Sequence, residues 1–364
     1  MRNPIWFLSV GNQIGFRIDF TSPRLRVPKI KLSRMTPLNG RPLALRNNMT
    51  KTAVILFNLG GPDGPEAVTP FLYNLFRDPA IIRLPPPLRQ VVAELIARKR
   101  APITREIYAK LGGCSPIFAN TQAQARALEK RLGTDFRCFV AMRYWHPFAE
   151  GAARAVKEFA PDEIILLPLY PQFSTTTTAS SFKSWERAVR RAGLHAPTRK
   201  IDRYPAMPGF IAALAENARE ACKGLAAAHN AAPRYLFSAH GLPEKIVRAG
   251  DPYPAQCAQT AEALAKELGL KRGDWVLCYQ SRVGPLKWIG PATDEEIARA
   301  GRDGVPIVIV PIAFVSEHSE TLYEIDMLYR ALAQKAGVPA FARAQTVGAA
   351  PAFIAGLAGL VSGC

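Results

Sequence analysis

Residues 54–63 read VILFNLGGPD, and residues 234–244 read RYLFSAHGLPE. Each stretch passes from a short apolar run into a polar turn that contains Gly and Pro. Apolar runs of this length, bounded by turn residues, are typical of buried β-strands. The occurrence of one pattern at two distant places suggests that the chain contains two similar units.

Two further pairs of segments repeat in the same order. FVAMRYWHP (139–147) is similar to VLCYQSRVGP (276–285), and IILLPLYPQFS (164–174) is similar to IVIVPIAFVS (307–316). Helical stretches separate these runs, which predicts parallel strands covered on both faces by helices. The predicted strands are 53–58, 136–141, 163–168, 199–202, 233–238, 274–279 and 306–311. The sequence therefore predicts an α/β fold of two similar Rossmann-like domains, each a doubly wound parallel sheet, with a ligand cleft between them.

The repeats also predict the domain boundaries. We expect a basic leader over 1–51, a first domain over 52–190, a second domain over 191–345 and a C-terminal helix over 346–364. The leader holds ten Lys and Arg against one acid, so its +9 is half of the net charge of +18. It is interpreted as an organelle transit peptide, as a disordered arm, or as residues upstream of a true start at Met35 or Met49, and we favour the last.

Composition excludes several classes of protein. Of the 364 residues, 48% are hydrophobic and 21% are charged, which is typical of a globular protein and not of a disordered one. No run of 18 apolar residues predicts a transmembrane helix, and no basic patch interleaved with aromatic residues predicts binding to nucleic acid. The six cysteines lack metal-ligand spacing and are expected to be buried or free thiols.

The first half contains an insertion. Phe57 and Arg143 are 86 residues apart, whereas the matching Phe237 and Arg282 are 45 apart, a difference of 41. Most of the excess is assigned to 68–100, which holds six Lys and Arg against two acids. Its apolar residues recur at helical spacing: Phe71, Leu72, Leu75 and Phe76. This segment predicts a lid or a lip that contacts an anionic membrane surface or an amphipathic ligand, and a helix packed on the sheet is the alternative.

Residues 311–326, PIAFVSEHSETLYEID, concentrate acids in a chain that has 47 Lys and Arg but only 29 Asp and Glu. The stretch predicts a helix with Ser316 as its N-cap, on which Glu317, Glu320 and Glu324 share one face. Because like charges on one face repel, we expect this stripe to line a cleft, where it conducts protons or guides a divalent cation. A solvated helix face is the alternative.

His240 directly follows a predicted strand, on a turn formed by Gly241 and Pro243. At this position an imidazole can accept a proton or bind a metal ion near neutral pH, and a structural histidine is the alternative. The hydroxyl run in YPQFSTTTTASSF (170–182) predicts either a helix cap or contact with a polar ligand. The sequence contains no phosphate-binding loop and no nucleophile elbow of the serine hydrolases.

Seven motifs together resemble the ferrochelatases, the enzymes that insert ferrous iron into a porphyrin in the last step of haem synthesis. In chain order they are LFNLGGPDGPEAVTPFLYNLFRDPAII, KLGGCSPI, AMRYWHP, LYPQFSTTTTASS, FSAHGLP, YQSRVGPLKWIGP and FVSEHSETLYEID. The resemblance covers the chain from about residue 52 to the end. It implies two Rossmann-like domains of the chelatase type, with protoporphyrin IX bound in the cleft.

The resemblance also implies roles for individual residues. It makes His240 a metal ligand and proton acceptor, and Glu320 the catalytic metal or proton ligand on the opposite side of the ring. It places Glu324, and less directly His318, on a proton and ion path behind Glu320. The positions that match porphyrin contacts are Leu59, Arg100, Tyr108, Ser115, Arg143, Tyr144 and Trp288. The insertion 68–100 becomes an apolar lip that meets the membrane.

Substrates, partners and location follow from the same resemblance. Protoporphyrin IX and ferrous iron are the expected substrates of a cytoplasmic, bacterial-type enzyme, a monomer or weak dimer in peripheral contact with the inner membrane. No iron–sulfur cluster is expected, because the chain lacks a Cys-rich C-terminal extension and has threonine where YPQFSTTTT would need a cluster cysteine. The alternatives are a coproporphyrin ferrochelatase, a cobalt chelatase, or a non-catalytic porphyrin or haem carrier. The apolar lip favours protoporphyrin, and the acid stripe argues against a carrier.

Overall fold

The computed structural model describes residues 50–226, 231–282 and 286–363. These residues form two four-stranded parallel sheets with the strand orders β2-β1-β3-β4 and β6-β5-β7-β8. The strands of the first sheet are β1 (Thr52–Asn58), β2 (Phe136–Met142), β3 (Glu163–Pro168) and β4 (Thr198–Lys200). Those of the second are β5 (Arg234–His240), β6 (Trp275–Gln280), β7 (Ile307–Pro311) and β8 (Phe341–Arg343). The predicted leader falls on residues 1–51, of which 1–49 lie outside the described residues.

Helices connect the strands and cover the sheets. Those of the first half are α1 (Val68–Phe76), α2 (Pro86–Lys110), α3 (Ile117–Leu132), α4 (Ala149–Phe159) and α5 (Thr178–Ala192). The next are α6 (Pro208–Ala226), α7 (Glu244–Arg248), α8 (Tyr253–Leu268) and α9 (Thr293–Asp303). A π-helix (Glu320–Tyr329), α10 (Arg330–Lys335) and α11 (Pro351–Ser362) complete the second half.

The two sheets have the same topology, which confirms the two similar doubly wound units. In each, the first strand lies between the second and third, and the fourth pairs with the third. The sequence missed β8, since this strand has three residues that are only half-buried and lacks a long apolar run. The boundary predicted at residue 190 precedes β4, which pairs with β3 through Leu166 and Lys200.

One apolar cluster crosses from the first half to the second. It includes Val54 and Leu56 of β1 together with Phe237 of β5 and Val308 of β7, all completely buried. The C-terminal helix α11 packs on both α3 and α6, and its Phe353 belongs to the same cluster. The two sheets therefore share a core.

The predicted lip forms two helices, but the apolar face that the sequence indicated is buried. Phe71, Leu72, Leu75 and Phe76 of α1 are at most 8% exposed, because they pack against α2. The exposed apolar residues of this segment lie on α2 instead. They are Leu88, Val91 and Leu95, with exposed fractions of 48%, 58% and 63%. Within the described parts of the chain, no helix is long and apolar enough to cross a bilayer.

Candidate active site at the carboxyl ends of the strands

His240 is the last residue of β5, the strand at the centre of the second sheet. The chain turns at once, since the Gly241 N–H donates to the Gln280 carbonyl of β6 at 2.8 Å. A Cβ atom at position 241 would lie 2.8 Å from that same oxygen, so only glycine permits this approach. Buried hydrogen bonds of β5 thus hold the imidazole at the edge where parallel strands present ligands.

The acid-rich stretch begins its helix later than the sequence predicted. Ser316 is not the N-cap, because the π-helix starts at Glu320 and the Ser316 hydroxyl donates to Gln124 of α3 at 3.1 Å. Glu317 precedes the helix and turns away from Glu320 and Glu324 to bind Arg343 at 2.9 Å. The predicted stripe of three carboxylates is therefore a pair. A π-helix is a rare element that recurs at functional sites.

His240 and Glu320 are in direct contact. The distance from His240 Nδ1 to Glu320 Oε2 is 2.8 Å, with both side chains largely buried. Burial opposes the charge on each, but their mutual attraction outweighs it, so the pKa of His240 is raised and that of Glu320 lies well below its usual range. Atoms 2.8 Å apart leave no room for a macrocycle between them in this arrangement, and the expectation that the two residues lie on opposite sides of the ring stays a prediction.

Glu324 lies one turn beyond Glu320 and accepts four hydrogen bonds. The donors are the Ser281 N–H (2.8 Å), the Ser281 hydroxyl (2.5 Å), Gln280 Nε2 (3.1 Å) and the Tyr329 hydroxyl (3.0 Å). These donors occupy about all the acceptor positions of a carboxylate. Burial first, and then the charge of Glu320, raise the pKa of Glu324 to about 6. Glu324 is therefore suited to exchange protons near neutral pH.

Gln280 and Ser281 are site residues that the sequence did not single out. Ser281 holds the left-handed conformation with φ of 59°, which is uncommon for a residue other than glycine and turns its N–H and hydroxyl toward one carboxylate. Gln280 also donates to the Glu320 carbonyl at 3.0 Å and so joins β6 to the π-helix. Their position at the end of β6 was the available signal, but neither side chain titrates.

His318 is a second imidazole close to Glu320. Its Nδ1–H donates to the Ser316 carbonyl at 3.1 Å, and its Nε2 points to Glu320 Oε2 at 3.8 Å. The ring is 8% exposed, and its Nε2 has no hydrogen-bond partner among the described residues. His240 and His318 thus approach the same carboxylate oxygen from two directions.

Two predicted porphyrin contacts from the first half reach this cluster. Tyr108, near the end of α2, lies close to Ser319 and Ser115, and burial raises the pKa of Tyr108 to about 12. Ser115 packs so closely on the loop after β1 that a Cβ on Gly61 would lie 2.4 Å from its hydroxyl. The structure therefore brings Tyr108 and Ser115 together next to the π-helix.

Arg143 and Tyr144 form a separate buried network. Both donate to Asp78 Oδ2, Arg143 Nη2 at 2.6 Å and the Tyr144 hydroxyl at 3.0 Å. The Ser180 hydroxyl donates to the same oxygen at 2.6 Å. Tyr144 is 2% exposed. In this structure both residues tie the end of β2 to the loop after α1.

The remaining predicted contacts, Arg100, Leu59 and Trp288, lie on separate parts of the fold. Arg100 lies over the Phe76 ring with 5.4 Å from Cζ to the centroid, and burial lowers the pKa of its guanidinium to about 10. A guanidinium that has lost part of its hydration by burial favours an anionic ligand. Leu59 packs between α1 and the first sheet. Trp288 is buried against the turn after His240, where its ring would lie 3.3 Å from a Cβ on Gly241.

The hydroxyl run joins the two halves. The Ser174 hydroxyl, the Thr175 hydroxyl and the Thr175 N–H all donate to Asp251 Oδ2, at 2.9, 2.6 and 2.8 Å. Asp251 precedes α8 of the second half and is 5% exposed. Ser174 and Thr175 are thus engaged by Asp251, and Thr177, the N-cap of α5, makes no side-chain capping bond.

A family model described as Ferrochelatase matches residues 51–363. The chain belongs to the ferrochelatase family. The ferrochelatases of Phenylobacterium zucineum and Caulobacter vibrioides are 54% and 52% identical to it, and the matches cover 85% of this chain and 90% and 88% of theirs. The solved SirB from Bacillus subtilis with Fe3+ matches with a TM-score of 0.49 at 11% identity, and the match covers 86% of this chain and 94% of that one.

Membership of this family establishes the reaction class. The protein is a ferrochelatase-type lyase that inserts ferrous iron into a porphyrin for haem synthesis, with iron as a substrate. Cys114, Cys138, Cys222, Cys257 and Cys278 are free thiols, and Cys364 lies outside the described residues. Among those described, no three His, Cys, Asp or Glu side chains form a group that could hold a metal ion. That no iron–sulfur cluster is bound stays a prediction.

Proposed function

We propose that the protein inserts ferrous iron into protoporphyrin IX, with the macrocycle bound in the cleft beside His240 and Glu320. The observation that carries this proposal is the 2.8 Å contact between these two side chains at the carboxyl end of the central strand β5. An imidazole and a carboxylate together offer nitrogen and oxygen ligands that bind ferrous iron without trapping it. Because the two groups touch, we place them on the same face of the porphyrin.

Metallation requires two pyrrole N–H protons to leave while the iron loses its water. In our proposal Glu320 receives the iron, since its Oε1 accepts no hydrogen bond from the described residues, whereas Glu324 is fully occupied. A dication on Glu320 displaces the positive charge of His240, because two cations on one carboxylate repel. The imidazole then loses its proton and can accept one from a pyrrole.

Glu324 and His318 provide the route for those protons. The pKa of Glu324 is about 6, so this carboxyl can take a proton and release it near neutral pH. His318 Nε2 lies 3.8 Å from Glu320 and adds a second acceptor on the same side. We assign the path to His240, Glu324 and His318, with the iron confined to Glu320 and His240.

The porphyrin itself is expected to contact both halves. We propose that Arg100, whose charge is poorly solvated, binds a porphyrin carboxylate, and that Leu59, Tyr108, Ser115 and Trp288 surround the ring. For Arg143 and Tyr144 we propose an indirect role, since Asp78 engages both. A bent macrocycle exposes its nitrogens, and contacts remote from the metal supply the energy for that strain.

The deciding experiment is anaerobic turnover of the purified protein with ferrous iron, with protoporphyrin and coproporphyrin compared by the shift of the Soret band. We expect the kcat/KM for protoporphyrin to exceed that for coproporphyrin, because the exposed apolar residues of α2 suit the less charged substrate. A preference for coproporphyrin contradicts the substrate assignment but keeps the site chemistry. Binding of either porphyrin without metallation would support the carrier instead.

We further propose that α2 contacts the membrane. Leu88, Val91 and Leu95 recur at spacings of three and four residues, so they form one exposed stripe. Exposed Arg98 and Lys99 continue it on the next turn. Apolar side chains next to cations suit the surface of an anionic bilayer. This supports peripheral attachment of a cytoplasmic protein, for which we propose a monomer or weak dimer without bound nucleic acid.

Replacing Leu88, Val91 and Leu95 together by Ser should weaken binding to vesicles that contain anionic lipid by about 10-fold or more. Burial of such a side chain contributes roughly 1.5–3 kcal/mol, of which a shallow contact gains only part. The measurement is co-sedimentation with phosphatidylglycerol vesicles, and Met327→Ser is the control, because Met327 is 39% exposed on the π-helix. Equal binding by the triple variant and the wild type would rule out this lip.

A further inference from the structure

A cluster of three charged side chains outside the predicted site spans the acid-bearing segment. Arg343, on the edge strand β8, is 8% exposed and lies between two carboxylates. Its Nη1 donates to Glu317 Oε1 at 2.9 Å, and its Nε donates to Asp326 Oδ2 at 2.8 Å. Glu317 comes three residues before Glu320, and Asp326 comes two after Glu324. One guanidinium therefore binds a carboxylate on each side of Glu320 and Glu324 in the sequence. These are the residues to which iron binding and proton transfer are assigned.

Neutral donors complete this arrangement. The Thr346 N–H donates to Glu317 Oε1 at 2.9 Å, and the Thr321 hydroxyl donates to Glu317 Oε2 at 2.5 Å. Burial opposes ionisation of Glu317, yet the charge of Arg343 and these donors hold the pKa of this carboxyl below its ordinary value. Charge-assisted bonds of a guanidinium fork are about twice as strong as neutral ones and restrict direction as well as distance.

The segment between the two carboxylates needs such a restraint. A π-helix is rare, and tertiary contacts must maintain it against the ordinary α-helical form. A shift of its first turn would move Glu320 away from His240 and break the 2.8 Å hydrogen bond between the two side chains. The backbone of Arg343 is itself held in place, because β8 pairs in parallel with β7 and Arg343 lies opposite Ile309. β7 is the strand that leads into the acid-rich stretch.

We propose that Arg343 is a positioning residue for iron insertion, which holds the π-helix in register so that Glu320 faces His240. Arg343 touches neither of them and acts only through Glu317 and Asp326. The inference rests on the proposed function of Glu320 and His240. It predicts a larger defect with iron than with porphyrin, because most of the proposed porphyrin contacts lie away from the π-helix and only Tyr108 and Ser115 adjoin it.

The test compares Arg343→Ala with Arg330→Ala, a matched control. Arg330 also contacts Asp326, at 3.5 Å, but is 51% exposed and does not reach Glu317. We expect Arg343→Ala to lower kcat/KM for iron by 10-fold or more with the KM for porphyrin changed less than twofold. Arg343→Lys should recover only part, since a single ammonium cannot fork between two carboxylates. Arg330→Ala should stay within twofold of the wild type.

Hydrogen exchange of the 317–329 amides in the iron-free protein gives a readout independent of turnover. It should accelerate in Arg343→Ala and not in Arg330→Ala. If Arg343→Ala does not fold, Asp326→Asn decides, with an expected threefold loss in kcat/KM for iron and faster exchange. Unchanged exchange at 317–329, or equal losses in the Arg343 and Arg330 variants, would overturn the proposal. A wild type that inserts no iron would refute the proposed function, whereas the exchange result would still decide the role of Arg343.

Discussion

Glu320→Ala should lower the kcat for iron insertion by about 10²- to 10⁴-fold, the range over which a positioned acid–base or ligand group contributes. The second oxygen of Glu320 accepts no bond from the described residues, whereas Glu324 accepts four, so Glu324 cannot replace Glu320 as the receiving ligand for iron. Glu320→Gln keeps the shape and should be impaired nearly as much, because an amide is a poor ligand. Turnover within threefold of the wild type for either variant would remove Glu320 from the mechanism.

The Glu320→Gln variant should also change how the free energy of unfolding depends on pH. The lowered pKa of Glu320 stabilises the folded protein above its ordinary value of 4.5, and this contribution is lost as the pH falls through the lowered pKa. The raised pKa of His240 stabilises the folded protein below 6.5, and this is lost as the pH rises through the raised pKa. The free energy of unfolding of the wild type relative to Glu320→Gln should therefore be greatest between pH 4.5 and 6.5. Denaturant titrations at pH 3.5, 5.5 and 8.5 measure it, with Glu295→Gln, an exposed acid paired with Arg282, as control.

His240→Ala should lower kcat by a similar factor, about 10²- to 10⁴-fold, because the imidazole is the proposed acceptor of pyrrole protons. It also leaves Glu320 buried without a countercharge, and breaking a buried pair in this way costs about 3–5 kcal/mol. Activity is therefore to be compared at a temperature where the variant remains folded by circular dichroism. His195→Ala, which removes an exposed imidazole, should retain full activity.

The double variant His240→Ala, Glu320→Gln separates catalysis from folding. If the pair acts as one unit, the double variant should be no slower than the slower single variant, since groups that act together are not additive. It should also recover stability relative to His240→Ala, because the unpaired buried charge is gone. Multiplied losses in kcat would mean that the two residues act in independent steps, against the shared site proposed here.

The strand ends were predictable because parallel strands with two covered faces appear in the sequence as short apolar runs bounded by turn residues. Seven of the eight described strands are apolar enough, or lie close enough to turn residues, to be located within a few positions. The repeated order then placed His240 and the acid-rich stretch at one edge. The insertion was predictable because the spacing from Phe57 to Arg143 exceeds the matching spacing from Phe237 to Arg282. Its exposed face was not predictable, since an apolar helical face does not reveal whether a second helix will cover it.

The direct contact of His240 with Glu320 was not predictable, because it depends on where a helix begins. Ser316 and the acids that follow have the composition of an ordinary N-terminus. The start was displaced to Glu320 by side chains distant in sequence, Gln124 of α3 and Arg343 of β8. Ser281 shows the same limit, since its left-handed backbone is imposed by the tertiary structure and leaves no local sequence signal.

The shared core has a consequence for how this protein reaches its folded state. Gln124 of α3 donates to the Gly348 carbonyl at 3.0 Å, across 224 positions of the chain, and α11 covers α3 beyond it. Until that segment has been synthesised, α3 can pack on β1 and β2, but the part of its surface that α11 covers remains exposed to other nascent chains. Chains of this size with such distant contacts fold slowly and pass through aggregation-prone intermediates. The first half should therefore depend on molecular chaperones during translation, even though its own sheet is complete by Lys200.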